Sequence, residues 1–498
     1  MREGWSGVFR QVILVEMPVE KLGEHFNETI GRPTKELYSI SGLLLLKEMF
    51  NWTEEEAVKN YIFNTEVQYA LNLGRDNLQL DIRTLQRNEK LFREDELAQE
   101  IMDAVTIKLV KLLELDISKQ RLDSTHVNSN MATFGRLRLF GVTIKRFLKS
   151  LHRNEKALHS NLPEELLKRY MPGENRLFDK VGKDTASRSL KLVEVASDLL
   201  FLVDHFSQIE TVTRRTTYKS MAGLLKEQCD VQEDQLKLKK KTGGNVMQNS
   251  SDKDATYDGH KGAGYKAQLS QTSTEGNCVQ LITDVIVETA VISDAKLIQP
   301  QLDNLTKKEM LPNEVTADTT YGSDENVEAS KAKGVEQISP VAGKPKDAQS
   351  KESSRMTPKE QRLDRRRKEQ ETTQWKEKYK SRNPIETANS GIKRRTGMGI
   401  LPVRGKPAVS HAIFLKIAGW NILRSLTVPA FIKKTANVLH KQVLASDCGD
   451  NWSLFHFFKY KIRIIPFLRS LNRFTLQLFD YLQNQSRFLV RREITFVG

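Results

Sequence analysis

Apolar positions over roughly the first 115 residues recur with helical spacing. ISGLLLLKEMF is an apolar helix. In NWTEEEAV, Thr53 and Glu56 have the spacing of a capping box that starts the next helix. DNLQLDIRTLQRNEKLF predicts a third helix, with Arg83 and Arg87 four positions apart on one face. A longer helix over about 92–114 closes the segment. DISKQRLDST then reads as a short strand with Asp123 near its end. Two stretches of 3.6-type spacing follow, FGRLRLFGVTIKRFLKSLHRN and SLKLVEVASDLLFLVDHF. Residues 228–255, which include LKLKKK, are polar and loop-like.

Beyond this point the period changes. GYKAQLSQTS, NCVQLITDVIVET, NEVTADTTYG and VEQISPVAG are rich in Val, Ile and Thr, bounded by Gly, Asn and Asp, and predict strands. DAKLIQPQLDNL between the second and third predicts a helix. Strands alternating with helices argue for an α/β layer. Residues 343–380 are dense in charge and read as a solvated helix or mobile arm. In RNPIETANSGIKRRTG, Asn383 is the expected N-cap, Pro384 sits at the first helical position, and Gly397 is the expected terminator. HAIFLKIAGWNILRSL predicts an amphipathic helix. The last 60 residues or so are apolar and basic, without a readable motif. No solenoid repeat is present.

The 498 residues suggest two to four domains. A net charge of +15 concerns partners rather than fold, and in a large protein without a membrane segment it points to nucleic acid. Cys229, Cys278 and Cys448 lie far apart, without zinc spacing, which fits a reducing compartment. The N-terminal apolar run is short for a signal peptide. SLFHFFKYKIRIIPFLRS is interrupted by Lys459, Lys461 and Arg463, too charged to cross a bilayer cheaply. The expectation is a cytoplasmic protein with no membrane partner.

Three acids are candidates for metal chemistry. Asp123 and Asp318 end strand patterns, where α/β sheets expose functional side chains. Glu386 lies one turn into a helix. Carboxylates from two strands and a helix can converge on Mg2+, which takes hard oxygen ligands. Each has a plainer reading. Asp123 and Asp318 suit turns that bond their own backbone, and Glu386 suits a capping box on Asn383. His126 suits a structural role or the orientation of a metal-bound water. Asp254 and Asp258 read as loop acids, and the glycines of GHKGAGYK as a tight turn into a strand rather than a dinucleotide loop.

Tyr379, Arg382, Glu386 and Lys393 spell Y-x2-R-x3-E-x6-K. This resembles the signature around the last catalytic acid of bacterial insertion-sequence transposases of the DDE type. LDSTHV resembles the first-Asp block of that family, and VTADTTYGSDENVE its second, with Tyr321 and Gly322 in reversed order. The stretch from GRPTKELYS to ALNL, with the later RTLQR, resembles the family's N-terminal helical domain. The likeness spans about residues 30–425, and is nearest to the subgroup with a helical insert after the first Asp.

The resemblance implies an α/β fold with a ribonuclease-H-like core, a mixed sheet flanked by helices. It implies a helical N-terminal DNA-binding domain over 1–116 and a catalytic domain over 117–425. The latter would carry a helical insert at about 135–250 and a basic polar arm at about 343–380, ahead of a C-terminal extension over 426–498 of unknown role. It implies Asp123, Asp318 and Glu386 as catalytic metal ligands for two Mg2+ ions, with Mn2+ as substitute. Tyr379, Arg382, Lys393, Arg394, Arg395, Arg83 and Arg87 are the expected DNA contacts, and Arg365–Lys368 a further basic cluster for the backbone. The implied partners are double-stranded DNA, as terminal inverted repeats and target, and a second copy in the synaptic complex. The rival readings are a DNA-binding protein descended from such an enzyme without catalysis, and a ribonuclease-H-like nuclease that cuts without joining.

Overall fold

The computed structural model describes residues 3–26, 36–74, 78–132, 134–171, 184–232, 235–240, 242–345 and 356–435. Residues 1–436 cluster as one compact unit. Most of the C-terminal extension, Cys448 included, lies outside the described residues.

The N-terminal stretch is helical, as its periodicity predicts. Helices α1 (Leu37–Met49), α2 (Glu54–Phe63), α3 (Ile82–Glu94) and α4 (Leu97–Leu113) follow one another. The capping box of α2 is formed: the Glu56 N–H donates to Thr53 Oγ1 at 3.1 Å, and the Thr53 N–H donates to Glu56 at 2.8 Å. The Asp81 carboxylate accepts from the Arg83 N–H and starts α3.

The sheet runs β4-β5-β1-β7-β8, with β6 alongside β5 and β9 alongside β1. Its members are β1 (Lys119–Ser129), β4 (Thr256–Asp258), β5 (Gly262–Thr272), β6 (Ile282–Thr289), β7 (Glu314–Thr316), β8 (Glu336–Ile338) and β9 (Ile400–Leu401). β5 is antiparallel to β1 and β6, while β7 and β9 run parallel to β1 and β8 parallel to β7. A three-strand meander extended by parallel strands, with helices on its faces, is the mixed sheet of a ribonuclease-H-like core.

Two features differ from the sequence reading. β1 is not a short strand ending at Asp123. It spans 11 residues with Asp123 near its middle, because β5 pairs along it from Gln120 to Asn128 despite the polar Thr125, His126 and Asn128. Residues 228–255 are not all loop, since β2 (Cys229–Gln232) and β3 (Gln235–Leu238) form an antiparallel hairpin. Between β1 and that hairpin lie α5 (Arg136–Asn154), α6 (Thr185–His205) and α7 (Thr216–Gln228). They pack around their own core, which includes Phe140, Phe147, Leu199, Phe206 and Met221.

After β6 come α8 (Ile298–Lys307) and α9 (Asp324–Ala332). The charged stretch carries α10 (Pro358–Glu369) and α11 (Thr373–Lys380), followed by α12 (Pro384–Thr396) and α13 (Lys406–Ser425). α10 is tied down rather than a free arm. Arg362 pairs with Asp324, and Arg366 donates to the Gly322 and Ser339 carbonyls. Arg367 donates to the Ala342 carbonyl, and Lys368 pairs with Asp364. Arg366 and Arg367 are thus spent holding the helix against the segments that follow β7 and β8.

α13 is more deeply buried than an amphipathic helix. Every residue from Leu415 to Ile422 is buried. α13 packs against α1, α4 and β6, so the helical stretch and the sheet share it. Asn421 fastens it: its amide accepts from the Ile282 N–H at 2.9 Å and donates to the Ile282 carbonyl at 2.8 Å, and to Thr106 Oγ1 of α4 at 3.0 Å. These bonds satisfy backbone groups of an edge strand that would otherwise lie buried and unpaired.

Candidate active site

The sheet and α12 bring the three predicted acids together. Asp123 projects from the middle of β1, and Asp318 lies two residues past β7, the parallel neighbour of β1. Glu386 lies in the first turn of α12, which packs on β1. Arg382 stands among them. Its guanidinium donates to Asp123 Oδ1 at 3.2 Å and to Glu386 Oε1 at 3.4 Å. Asn389 Nδ2 donates to Asp123 Oδ2 at 2.9 Å. Burial raises the Asp123 carboxyl above its usual range. Arg382 and the Ser124 N–H oppose the rise, and the charges of Asp318 and Glu386 add to it. The acids are therefore close enough to feel one another.

The plainer readings fare differently. Asp318 does bond its own turn, accepting from the Thr320 N–H at 3.0 Å, a bond that leaves it free to serve both roles. Glu386 does not cap α12. Asn383 holds the predicted N-cap position ahead of Pro384, but it has helical dihedrals, φ −51° and ψ −41°, and makes no side-chain cap bond. The chain enters α12 from α11 through a tight turn, where the Arg382 and Asn383 N–H groups donate to Tyr379 and Lys380 carbonyls. An extended capping residue has no place there, and the Glu386 side chain, 70% exposed, faces the site. Gly397 ends the helix as predicted, at φ +70°.

Tyr379 borders the acids. Its hydroxyl is raised by burial, opposed by Arg382, and raised further by Asp318, Asp123 and Glu386. Its ring stacks on Trp375 at 5.0 Å and 17°. Lys393 is half-buried, and its ammonium is lowered by burial and by Lys261, with Asp123 opposing. Arg394 and Arg395 are exposed at the end of α12. Arg83 and Arg87 are exposed on α3, away from its buried Leu85 and Phe92, and Arg87 lies over the Phe26 ring at 5.9 Å. The structure does not bring these two to the acids.

Four participants escaped sequence reasoning. Asn389 orients Asp123, and its place three residues after Glu386 on one face of α12 is the signal that was there to read. Arg121 is buried on β1, donating to Gln271 at 2.8 Å and to the Ser381 carbonyl at 2.9 Å, and so pins the α11–α12 corner. Lys261 and Trp375 are the others. His126 is buried, and both ring nitrogens lack a hydrogen-bond partner. Asp258 caps a turn through the His260 and Lys261 N–H groups, and Asp254 accepts from the Lys406 N–H at the start of α13. GHKGAGYK is a turn into β5, and Gly264 is required there, since a Cβ would fall 2.3 Å from the Val127 carbonyl oxygen on β1.

Residues 235–422 match the family model of the transposase DDE domain. The chain carries a transposase DDE domain. The match takes in Asp318 and Glu386, whereas β1 and Asp123 precede it. Searches of curated proteins and of solved structures return no match. The family uses divalent metal ions. Among the described residues no three acid, histidine or cysteine side chains are grouped tightly enough to hold one as they stand. The donor set nonetheless suits a hard cation, with carboxylates from three elements and a cation, Arg382, already balancing two of them. Among the described residues no helix is long and apolar enough to cross a membrane.

Proposed function

We propose that this transposase binds the terminal inverted repeats of an insertion sequence, hydrolyses a phosphodiester there to free a 3′ hydroxyl, and joins that end to target DNA. The observation that carries the reading is the convergence of Asp123, Asp318 and Glu386 about Arg382 beside a half-buried Lys393. Asp123, Asp318 and Glu386 would hold the metal, two Mg2+ ions with Mn2+ as substitute. Metal bound there supplies Lewis-acid charge at the reacting phosphate.

The chain's own residues do the rest. Asn389 fixes the Asp123 carboxylate by a charge-assisted bond. Arg382, Lys393 and Lys261 supply positive charge to draw in a DNA backbone. The stacked Trp375 and Tyr379 offer an aromatic face to an unpaired base at the DNA end. Both reaction steps are in-line phosphoryl displacements, so one set of carboxylates serves both. Two ends must meet, which calls for a dimer in the synaptic complex. Arg83 and Arg87, on a helix face remote from the acids, are suited to recognition rather than chemistry. The proposed setting is the bacterial cytoplasm, at the nucleoid.

The test is a plasmid carrying the gene's own flanks, incubated with wild type and Glu386→Ala in Mg2+ and in Ca2+. Specific cuts and joined products by wild type in Mg2+ alone, absent in the variant, are expected. Binding by both proteins with no cuts in any metal would leave a DNA-binding protein. Cuts without joined products would leave a nuclease.

A further inference from the structure

Away from the acids, the helical segment between β1 and β4 contains a second polar concavity. A cavity of about 160 Å³ opens between α5, the first turn of α7 and the loop ahead of β4. Arg146, Lys253, Thr143, Thr217, Ser250 and Ser251 contribute to its wall, and no carboxylate lines it. A cavity with two cations, several hydroxyls and no acid is matched to an anion.

The donors are arranged but not exhausted. Arg146 Nη1 donates to Ser251 Oγ at 2.7 Å and reaches Ser250 Oγ at 3.4 Å. Lys253 Nζ donates to the Thr216 carbonyl at 3.0 Å. Arginine has five N–H donors and lysine three, so each retains some for a ligand. Thr217 Oγ1 is buried without a partner. α7 starts here without a side-chain cap, so its first-turn N–H groups add partial positive charge. Lys253 is itself depressed by burial, with Arg146 and Lys219 adding to the effect and Asp254 opposing, as expected where cations crowd.

The position ties this cavity to the acids. Asp252, between Ser251 and Lys253, accepts from Ser129 Oγ at 2.6 Å and from the Tyr265 hydroxyl at 2.5 Å, and also from the Gly405 N–H at 3.1 Å. Ser129 ends the strand that carries Asp123, about 20 Å further on at roughly 3.3 Å per residue. A duplex advances about 3.4 Å per nucleotide along each strand. A duplex that follows β1 away from the acids would carry a backbone phosphate to the level of Ser129, the residue tied to this loop, some six nucleotides inward at roughly 3.4 Å per nucleotide.

We propose that the cavity lined by Arg146, Lys253, Thr217, Ser250 and Ser251 is a phosphate site that grips one backbone phosphodiester of the bound DNA, inward from the reacting end. The inference rests on the DNA-binding reading above for the source of the phosphate, and on the cavity for its chemistry. Phosphate contacts fix register and carry no sequence preference, so this grip sets how far the end projects into the acids.

The test titrates fluorescent duplex DNA bearing the gene's own end with wild type, with Arg146→Gln/Lys253→Gln, and with Arg146→Lys, over a series of salt concentrations. Thermal melts in inorganic phosphate and in chloride run in parallel. One phosphate lost lowers the slope of log K against log salt by about 0.9. The double variant is expected to show that smaller slope and weaker binding on any duplex, with an unchanged melting temperature in chloride, while Arg146→Lys keeps the wild-type slope. Wild type and double variant with the same slope overturn the proposal and leave the transposase reading intact. Stabilisation of wild type by inorganic phosphate alone, with DNA binding unaffected in the variant, also overturns it, in favour of a free-anion site. A wild type that binds no duplex removes both readings.

Discussion

Lys416 is the most informative single position for stability. It lies in the middle of α13, 1% exposed, and its ammonium holds three elements together. It pairs with Glu48 of α1 at 2.8 Å, donates to Asn51 Oδ1 at 3.0 Å, and donates at 2.6 Å to the Thr396 carbonyl that ends α12. Replacing Lys416 by Met keeps the aliphatic stem and removes the charge. Removing one partner of a buried pair costs about 3–5 kcal/mol because the other is left uncompensated. Lys47 Nζ remains 3.3 Å from Glu48 and softens the loss. The expected cost is therefore near the low end, ~3 kcal/mol, with ~1 kcal/mol more for the abandoned Thr396 carbonyl. Equilibrium urea unfolding followed by tryptophan fluorescence measures it.

The pH dependence supplies the check. Burial opposes the Glu48 charge, but Lys416 and then Lys47 outweigh it and hold the carboxyl below its ordinary value. A depressed acid contributes stability that is fully present above its unfolded pKa, about 4.3, and is lost as pH falls through the folded value. The gap between wild type and Lys416→Met is therefore expected to narrow as pH drops below about 4.5. Adding Glu48→Gln to the variant restores part of the loss by removing the orphaned charge. A single-variant cost under ~1 kcal/mol, or a gap independent of pH, refutes the reasoning.

Three further outcomes are expected. His411, buried edge-on to Phe92, is pushed down to about 4 by burial. Its folded value lies below the unfolded 6.5, so stability is complete above pH 6.5 and falls by up to ~3 kcal/mol towards pH 4. His411→Leu flattens that segment of the urea-midpoint profile, and parallel profiles for the two proteins would defeat the assignment. Gly264→Ala forces β5 from β1, since its Cβ would meet the Val127 carbonyl oxygen at 2.3 Å. A loss of about 1–3 kcal/mol or more in thermal melts is expected, and an unchanged melting temperature would show that the strands yield freely. Asn389→Ala removes a donor to the Asp123 carboxylate, worth about 1.5–3 kcal/mol. If the bond persists in the transition state, Mg2+-dependent cleavage falls roughly 10- to 100-fold with the far-ultraviolet circular dichroism spectrum unaltered, and full activity would exclude Asn389 from positioning.

What the sequence could reveal follows from which interactions are local. The capping box at Thr53, the terminator at Gly397 and the long helices are encoded within a few residues, and pattern reads them. β1 was underestimated because its polar half is specified by β5, far along the chain. β9 has only two residues, and β4, Thr256–Asp258, lacks the Val and Ile that mark the equally short β7 and β8. α13 reads as amphipathic because its Lys416 and Asn421 look solvent-bound until their partners, Glu48 and Ile282, are known. The basic run at Arg365–Lys368 looked like a DNA contact for the converse reason, since backbone carbonyls at Gly322, Ser339 and Ala342 claim much of it. For the acids, local pattern alone favours capping over catalysis at Glu386, and only the turn at Ser381–Asn383 excludes the cap.

That turn also explains the spacing of the signature. Arg121, two residues before Asp123 on β1, holds the Ser381 carbonyl and so plants the start of α12 against the strand. Arg382 stands in the turn just ahead of α12, and Glu386, Asn389 and Lys393 follow it at four, three and four positions, the spacing of one helical stripe. Arg382 and Asn389 bond the two oxygens of Asp123, and Lys393 lies near enough for Asp123 to oppose its depression. Glu386 extends to solvent beside them, tethered by Arg382. Charges of one sign crowded at about 4 Å repel by several kcal/mol in a partly buried site, so the stripe alternates a cation with the acid it must hold. Arg382, Glu386 and Lys393 stand at these intervals because a helix packed on β1 presents those positions to one aspartate. Asn389 fills the remaining position on the same stripe, and belongs to the site on the same geometric grounds.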